Sequence, residues 1–177
     1  MTIDAILGSV ELGLIYSILA LGVFLSFRTL NTPDLTVDGS IVTGMAASAM
    51  VCSAGGNPCL ALLAAFLVGC LAGSVTALLN TKLGIQPLLA GILVMLGSYS
   101  VNLRIMGGKS NIAIIKADTV YKSFQEAVPT EYSSLILGLI ILIAVTAAFY
   151  YFLRTRLGFA LRATGDNEDM VRASGIN

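Results

Sequence analysis

Chemistry in this chain has to be sought among a few polar residues set inside apolar runs. The groups that usually carry catalysis or metal binding are scarce: histidine is absent, and the three cysteines, Cys52, Cys59 and Cys70, are not spaced as a ligand set. No zinc or haem site is expected. Nor is there a Gly-x-x-x-x-Gly-Lys-Ser/Thr phosphate loop, a Gly-x-Ser-x-Gly elbow or a nucleophile beside a base. The chain is therefore not expected to be an enzyme or to bind a nucleotide or cofactor directly. Two groups of polar residues stand out inside the apolar segments, Asp38, Ser40 and Thr43 in one and Ser98, Tyr99 and Asn102 in another. Polar side chains inside membrane-grade sequence are costly unless they face water, protein or a cavity. These six are accordingly candidate pathway-lining residues. Asp38 has helix capping and interfacial solvation as its alternative, capping is the better reading for nearby Asp34, and Tyr99 is equally suited to an interfacial aromatic belt.

The elements that must position them are membrane helices. Residues of the hydrophobic class make up 56% of the chain and charged ones 11%, and several apolar runs reach the roughly 20 residues that cross a bilayer. The expected fold is all-α and polytopic, with membrane helices at 3–27, 33–52, 59–80, 87–106 and 133–153 inside a lipid bilayer. Lysines plus arginines number 10, as do aspartates plus glutamates, so the charge balance gives no reason to expect a nucleic-acid partner. The first run lacks a basic leader and reads as a retained span.

Thr32 and Pro33 are placed to cap and open the second helix. Gly69-xxx-Gly73-xxx-Ala77 forms a small-residue ridge on the third, a packing signal that is expected to stay unpaired without a partner. Pro87 opens the fourth. Tyr150-Tyr151-Phe152 closes the fifth as an aromatic belt, with Arg154 and Arg156 directly after it. Arg28, Lys82, Arg154, Arg156, Arg162 and Arg172 then share one side, while Arg104, Lys109, Lys116 and Lys122 lie on the other among acids. By the positive-inside rule the N-terminus is outside, 107–132 is an external loop and 154–177 is cytoplasmic.

That loop, with Asp118, Glu126 and Glu131 beside its lysines, suits either a docking surface or a solvated connection, and Ile112 to Ile115 and Val120-Tyr121 suggest short amphipathic or extended pieces. Cys70 is most simply a small buried residue. A Cys52–Cys59 disulfide is open only if that turn faces an oxidising compartment.

Residues 156–177 are the long water-compatible helical stretch. Leu157, Ala160 and Leu161 recur at helical spacing, Gly165 is expected to interrupt, Asp166 to cap a second short helix with Asp169 in the capping-box position, and Gly175 to close it. Two short helices meeting at a glycine make a polar elbow that a soluble partner can grip. An ordinary interfacial helix is the alternative.

Three stretches carry a family resemblance: Leu157-Gly158, Leu161-Arg162-Ala163, Gly165, Asn167, Met170, Ala173 and Gly175-Ile176-Asn177; Pro33-Asp-Leu-Thr-Val-Asp38-Gly39-Ser40; and Leu83-Gly-Ile-Gln-Pro87-Leu-Leu-Ala-Gly91 with Asn102-Leu-Arg104-Ile-Met-Gly-Gly108. Together they resemble the permease subunits of ABC importers in the branched-chain amino acid and ribose superfamily, most closely the branch often assigned to tryptophan, tyrosine or other amino acids. The resemblance implies a bacterial cytoplasmic-membrane permease. Its partners would be an ABC ATPase subunit, an extracytoplasmic solute-binding protein and a second permease subunit in a homodimer. It further implies that Leu157, Gly158, Leu161, Arg162, Ala163, Gly165, Asn167, Met170, Ala173 and Gly175 couple to the ATPase. Family permeases continue beyond this segment, so the chain resembles their N-terminal portion. The competing classes are a secondary transporter or channel, for which Asp38 is the sole intramembrane charge of the expected kind, and a non-transporting remnant acting as a scaffold.

Overall fold

A computed structural model describes residues 3–112, 114, 118–129 and 132–175, without the side chains of residues 3, 4, 127 and 168. Lys116, Glu131, Ile176 and Asn177, named above, lie outside the described residues, as does Ile115. Among the described residues every regular element is helical: α1 (Ile3–Phe24) continuing into a π-helical turn (Leu25–Thr29), α2 (Thr36–Ser53), α3 (Pro58–Thr81), α4 (Pro87–Ile105), α5 (Val120–Ala127), α6 (Ser133–Leu153), α7 (Arg156–Asp166) and α8 (Glu168–Ala173). Four stretches are long and apolar enough to cross a membrane: Ala5–Thr29, Pro58–Thr81, Pro87–Ile105 and Ser133–Leu153. The protein is a polytopic helical membrane protein. The chain divides into two compact units, residues 1–33 with 128–177, and residues 34–127.

The second unit is built around α2, which is expected from the sequence as a membrane helix of unusual polar density and is not among those four. Its polar and small residues explain the difference. Thr36, Gly39, Thr43, Ala46 and Ala47 are buried, so α2 packs its small and polar face against protein while Val42 and Met45 stay exposed. A side-chain carbon at Gly39 would stand 2.9 Å from Met95 Cα, and one at Gly91 would stand 2.8 Å from Leu35 N. That register runs α2 and α4 in the same direction at close approach. The α3 helix runs the opposite way: Thr36 and Thr76 share a buried hydroxyl–hydroxyl hydrogen bond of 2.7 Å, and a carbon at Gly44 would meet Ala65 O at 3.3 Å. Ser40 and Thr43 donate to Val37 O and Gly39 O of their own helix, which removes the cost of unpaired hydroxyls in an apolar setting.

The entry to α2 differs from the sequence expectation. Pro33 precedes the helix, which starts at Thr36, and Thr32 does not cap it. Asp34 does the capping work, its Oδ1 accepting from Thr36 N at 2.8 Å. Thr32 is held backward instead, donating from its N to Ser26 O at 3.1 Å while its own carbonyl accepts from Ser26 Oγ at 2.8 Å. Asn31 turns the chain at φ +53°.

Pro58 and Pro87 open α3 and α4 at the first turn, where the missing N–H costs nothing. All three cysteines are free thiols, Cys52 buried and Cys59 and Cys70 exposed. Cys70 thus corrects its expected burial, since α3 turns that face away from its neighbours. In the long loop, α5 is a short amphipathic helix. Lys122 Nζ contacts Asp118 Oδ1 at 2.8 Å, and this hydrogen bond, reinforced by the carboxylate's charge, raises the Lys122 pKa.

In the first unit, α1 and α6 are parallel neighbours. A carbon at Gly138 would meet Leu14 Cδ1 at 3.2 Å, and further along in the same sense Phe24 and Phe149 stack edge to face with ring centres 6.4 Å apart. The Thr29 end of the π turn and the Leu153 end of α6 therefore lie on one side.

Candidate functional site

The residues that follow α6 form a strut across those two helix ends. Thr155 opens α7: its Oγ1 accepts from Gly158 N at 3.3 Å and donates to Phe152 O at 2.7 Å, the arrangement of an N-cap. Gly158 is buried in this corner, where a side-chain carbon would stand 2.5 Å from Leu153 Cα. Seven residues on, a carbon at Gly165 would collide with the carbonyl oxygen of Thr29. At 1.5 Å of rise per residue the two glycines are about 10.5 Å apart, close to the roughly 8–10 Å between the axes of packed helices. The helix α7 thus spans from the end of α6 to the end of α1, with one glycine seated on each.

Gly165 does not interrupt the helix as expected. It is helical, and the break comes at Asn167, whose backbone is extended at φ −159° and ψ 99°. Nor does Asp166 cap α8. Asn167 does, accepting at Oδ1 from Met170 N at 3.1 Å, and Gly175 follows the helix at φ +82°, the left-handed geometry of a C-cap.

The ten residues assigned to coupling fall into distinct environments. Gly158, Leu161 and Gly165 recur at helical spacing on the side of α7 turned to α1 and α6. Leu157 and Met170, each 69% exposed, stand on the outer surface with Arg162, Ala163, Asn167, Ala173 and Gly175. Phe159, exposed at 60%, and buried Val171 escape the sequence reading, as does Thr155. A threonine directly before an amphipathic run is a readable cap signal. Thr29 acts through its backbone and leaves no signal in residue type.

The candidate pathway residues are only partly brought together. Thr43 and Ser98 line one cavity of 570 Å³ between α3 and α4, whose other walls include Leu71, Val75, Leu93 and Val101. Asp38 is exposed in the first turn of α2, where a carboxylate is favoured by the helix dipole. Ser40 is half-buried, Tyr99 is 66% exposed, and neither they nor Asp38 line the cavity. Asn102, also off the cavity wall, is buried with its Oδ1 unpartnered among the described residues. A side-chain carbon added at Gly69 or Gly73 would have nothing within 4 Å, so among the described residues no helix packs closely on these two glycines. Among the described residues no group of His, Cys, Asp and Glu is placed to hold a metal ion.

Four apolar helices long enough to cross a membrane, with two short polar helices after the last of them, define a polytopic helical membrane protein. Residues 5–177 match the family described as branched-chain amino acid transport system / permease component. The chain belongs to that family. It is 42% identical over 164 residues to a tyrosine transport system permease protein of Clostridioides difficile (strain R20291), covering 93% of this chain and 53% of that protein. It is 33% identical over 169 residues to an uncharacterized protein of Rickettsia prowazekii (strain Madrid E), covering 95% of this chain and 57% of the other. The chain spans about half the length of the curated relatives it matches. No solved structure matches it.

Proposed function

We propose that the chain forms part of the permease subunit of a binding-protein-dependent ABC importer for an amino acid, in the bacterial inner membrane with residues 154–177 in the cytoplasm. The observation that carries the reading is the seating of α7, with Gly158 against Leu153 and Gly165 against Thr29. A helix held at both ends passes a push to both spans at once, which a loosely attached interfacial helix cannot do. Leu157, Phe159 and Met170 are apolar side chains exposed on a segment rich in charged and polar residues, as suits docking of an ATPase subunit. ATP binding closes two such subunits, the struts move with them, and the helix ends of a pair of permeases switch between two arrangements.

The named relative supports an amino acid as solute, delivered by an extracytoplasmic binding protein. The cavity at Thr43 and Ser98 is too apolar to hold a zwitterion by itself, so its place in the path depends on groups from other helices. ATP hydrolysis belongs to the ATPase subunit.

The test is cross-linking in membranes containing the ATPase subunit of the same transport system. In a cysteine-free background, a photo-reactive probe on a cysteine at Leu157 or Met170 should capture that ATPase, and one at Ser53 should not. Asn167→Ala, which removes the α8 cap at a cost of about 1 kcal/mol, should weaken capture from position 170 more than from 157. Absence of capture from both positions would sink the coupling assignment.

A further inference from the structure

The ends of α1 and α6 carry a charge pattern that, Arg162 apart, the coupling role does not use. Residues 25–33 and 150–165 contain Arg28, Arg154, Arg156 and Arg162, and the first acids beyond them are Asp34 and Asp166, the latter at the far end of α7 from Arg154 and Arg156. All four side chains are exposed, and among the described residues none of them forms an ion pair. The fold concentrates them. Thr29, next to Arg28, touches Gly165, one helical turn from Arg162, while Arg154 and Arg156 flank the cap that seats Gly158 on Leu153.

Depth distinguishes these arginines from a protein-docking surface. Arg28 lies within the stretch Ala5–Thr29 that is apolar enough to span, and Arg154 directly follows the span that ends at Leu153, which puts both at the level of the headgroups. The Arg154 guanidinium lies 4.6 Å from the centre of the Tyr150 ring, and Tyr150 packs edge to face on Tyr151 at 5.8 Å. A guanidinium laid on an aromatic face keeps its edge donors free for a phosphate oxygen. The surrounding Phe27, Tyr150, Tyr151 and Phe152 are exposed, and aromatic rings of this kind favour the interface.

We infer that this end of the α1–α6 pair binds the phosphodiester headgroup of an anionic phospholipid in the adjoining leaflet, with Arg28 and Arg154 at headgroup depth and Arg156 and Arg162 adding charge from α7. The inference stands apart from ATPase coupling, because it needs only the membrane.

The experiment reconstitutes the 177-residue chain in bilayers with trace spin-labelled phosphatidylglycerol or phosphatidylcholine and measures the fraction of each probe immobilised on the protein. Wild type should select phosphatidylglycerol several-fold at low salt, and high salt should weaken the preference. Each of Arg28→Gln, Arg154→Gln and Arg156→Gln should lower the preference by up to about five-fold, the counterpart of about 1 kcal/mol per basic residue near an anionic surface. The triple variant should abolish it, and Lys109→Gln should leave it unchanged. Millimolar glycerol phosphate should not displace the lipid probe; equal displacement would make this a free-phosphate site and overturn the assignment. Equal immobilisation of the two lipids by wild type overturns it without recourse to any variant. So does a preference that persists in a folded triple variant, or a patch that selects no lipid while the triple variant loses the ATPase subunit.

Discussion

The carbonyl oxygen of Thr29 occupies the space that a side chain at residue 165 would need. Because Gly165 is helical, Gly165→Ala should gain about 1 kcal/mol of helix propensity and lose more, about 1–3 kcal/mol, by overpacking against backbone that cannot rotate away. Thermal unfolding in detergent, followed by circular dichroism, should show a lower midpoint. In a full-length permease Gly165→Val should abolish solute-stimulated ATP hydrolysis while leaving membrane insertion intact. A raised midpoint in the alanine variant would mean that α7 is not seated on α1.

The Thr36–Thr76 hydrogen bond joins α2 to α3 inside the second unit. Thr76→Val should cost about 1–2 kcal/mol, since it leaves the buried Thr36 hydroxyl without its partner. Replacing both threonines by valine should cost less than the two single changes added together. A double-mutant cycle on unfolding free energy measures the difference, and strict additivity would show that the two hydroxyls do not interact.

Glycines on neighbouring helices should respond in opposite ways. Gly39→Ala forces a methyl group to 2.9 Å from Met95 Cα and should destabilise by about 1–3 kcal/mol. Gly73→Ala meets open space and should be neutral or stabilising by up to about 1 kcal/mol. The comparison needs only the two melting curves in the same detergent.

What the sequence discloses and what it hides follows from the physics of each signal. Apolar runs mark the spans because burial in lipid is a property of composition, and Pro87 marks a helix start because its geometry is local, whereas Pro33, expected to do the same, precedes its helix by three residues. Gly165 stands out in the sequence but is misread there: glycine signals either an unusual backbone angle or a close approach, and only the position of Thr29 separates the two. The cap at Asn167 lies one residue from the expected Asp166, since either side chain can accept the same bond. The π turn at 25–29 has no residue pattern of its own, and the pairing of Leu14 with Gly138 joins positions with no local relation. For the candidate passage, polarity alone singles out six residues, but which helix face each occupies depends on the α2–α4 register.

Orientation is open to direct measurement. With the native cysteines removed, single cysteines at Ser53 and Ser110 should react with an impermeant thiol reagent added to intact cells, and one at Thr164 should react only after the membrane is opened. Labelling at Thr164 in intact cells would invert the topology.

The parallel pairing of α1 with α6 carries a consequence for biogenesis. Leu14 and Gly138 are contacts, so the first helix leaves the ribosome and enters the bilayer with its neighbour still unmade. At about 5–20 residues per second, the intervening stretch takes on the order of ten seconds to synthesise. The helices α2, α3 and α4 follow one another closely and can associate as they emerge, whereas the contact of α1 with α6 waits for that stretch, and its Thr29 end waits for α7. Assembly of the first unit is therefore the late, non-local step. A ribosome stalled before α6 should hold a 34–127 region that already resists protease.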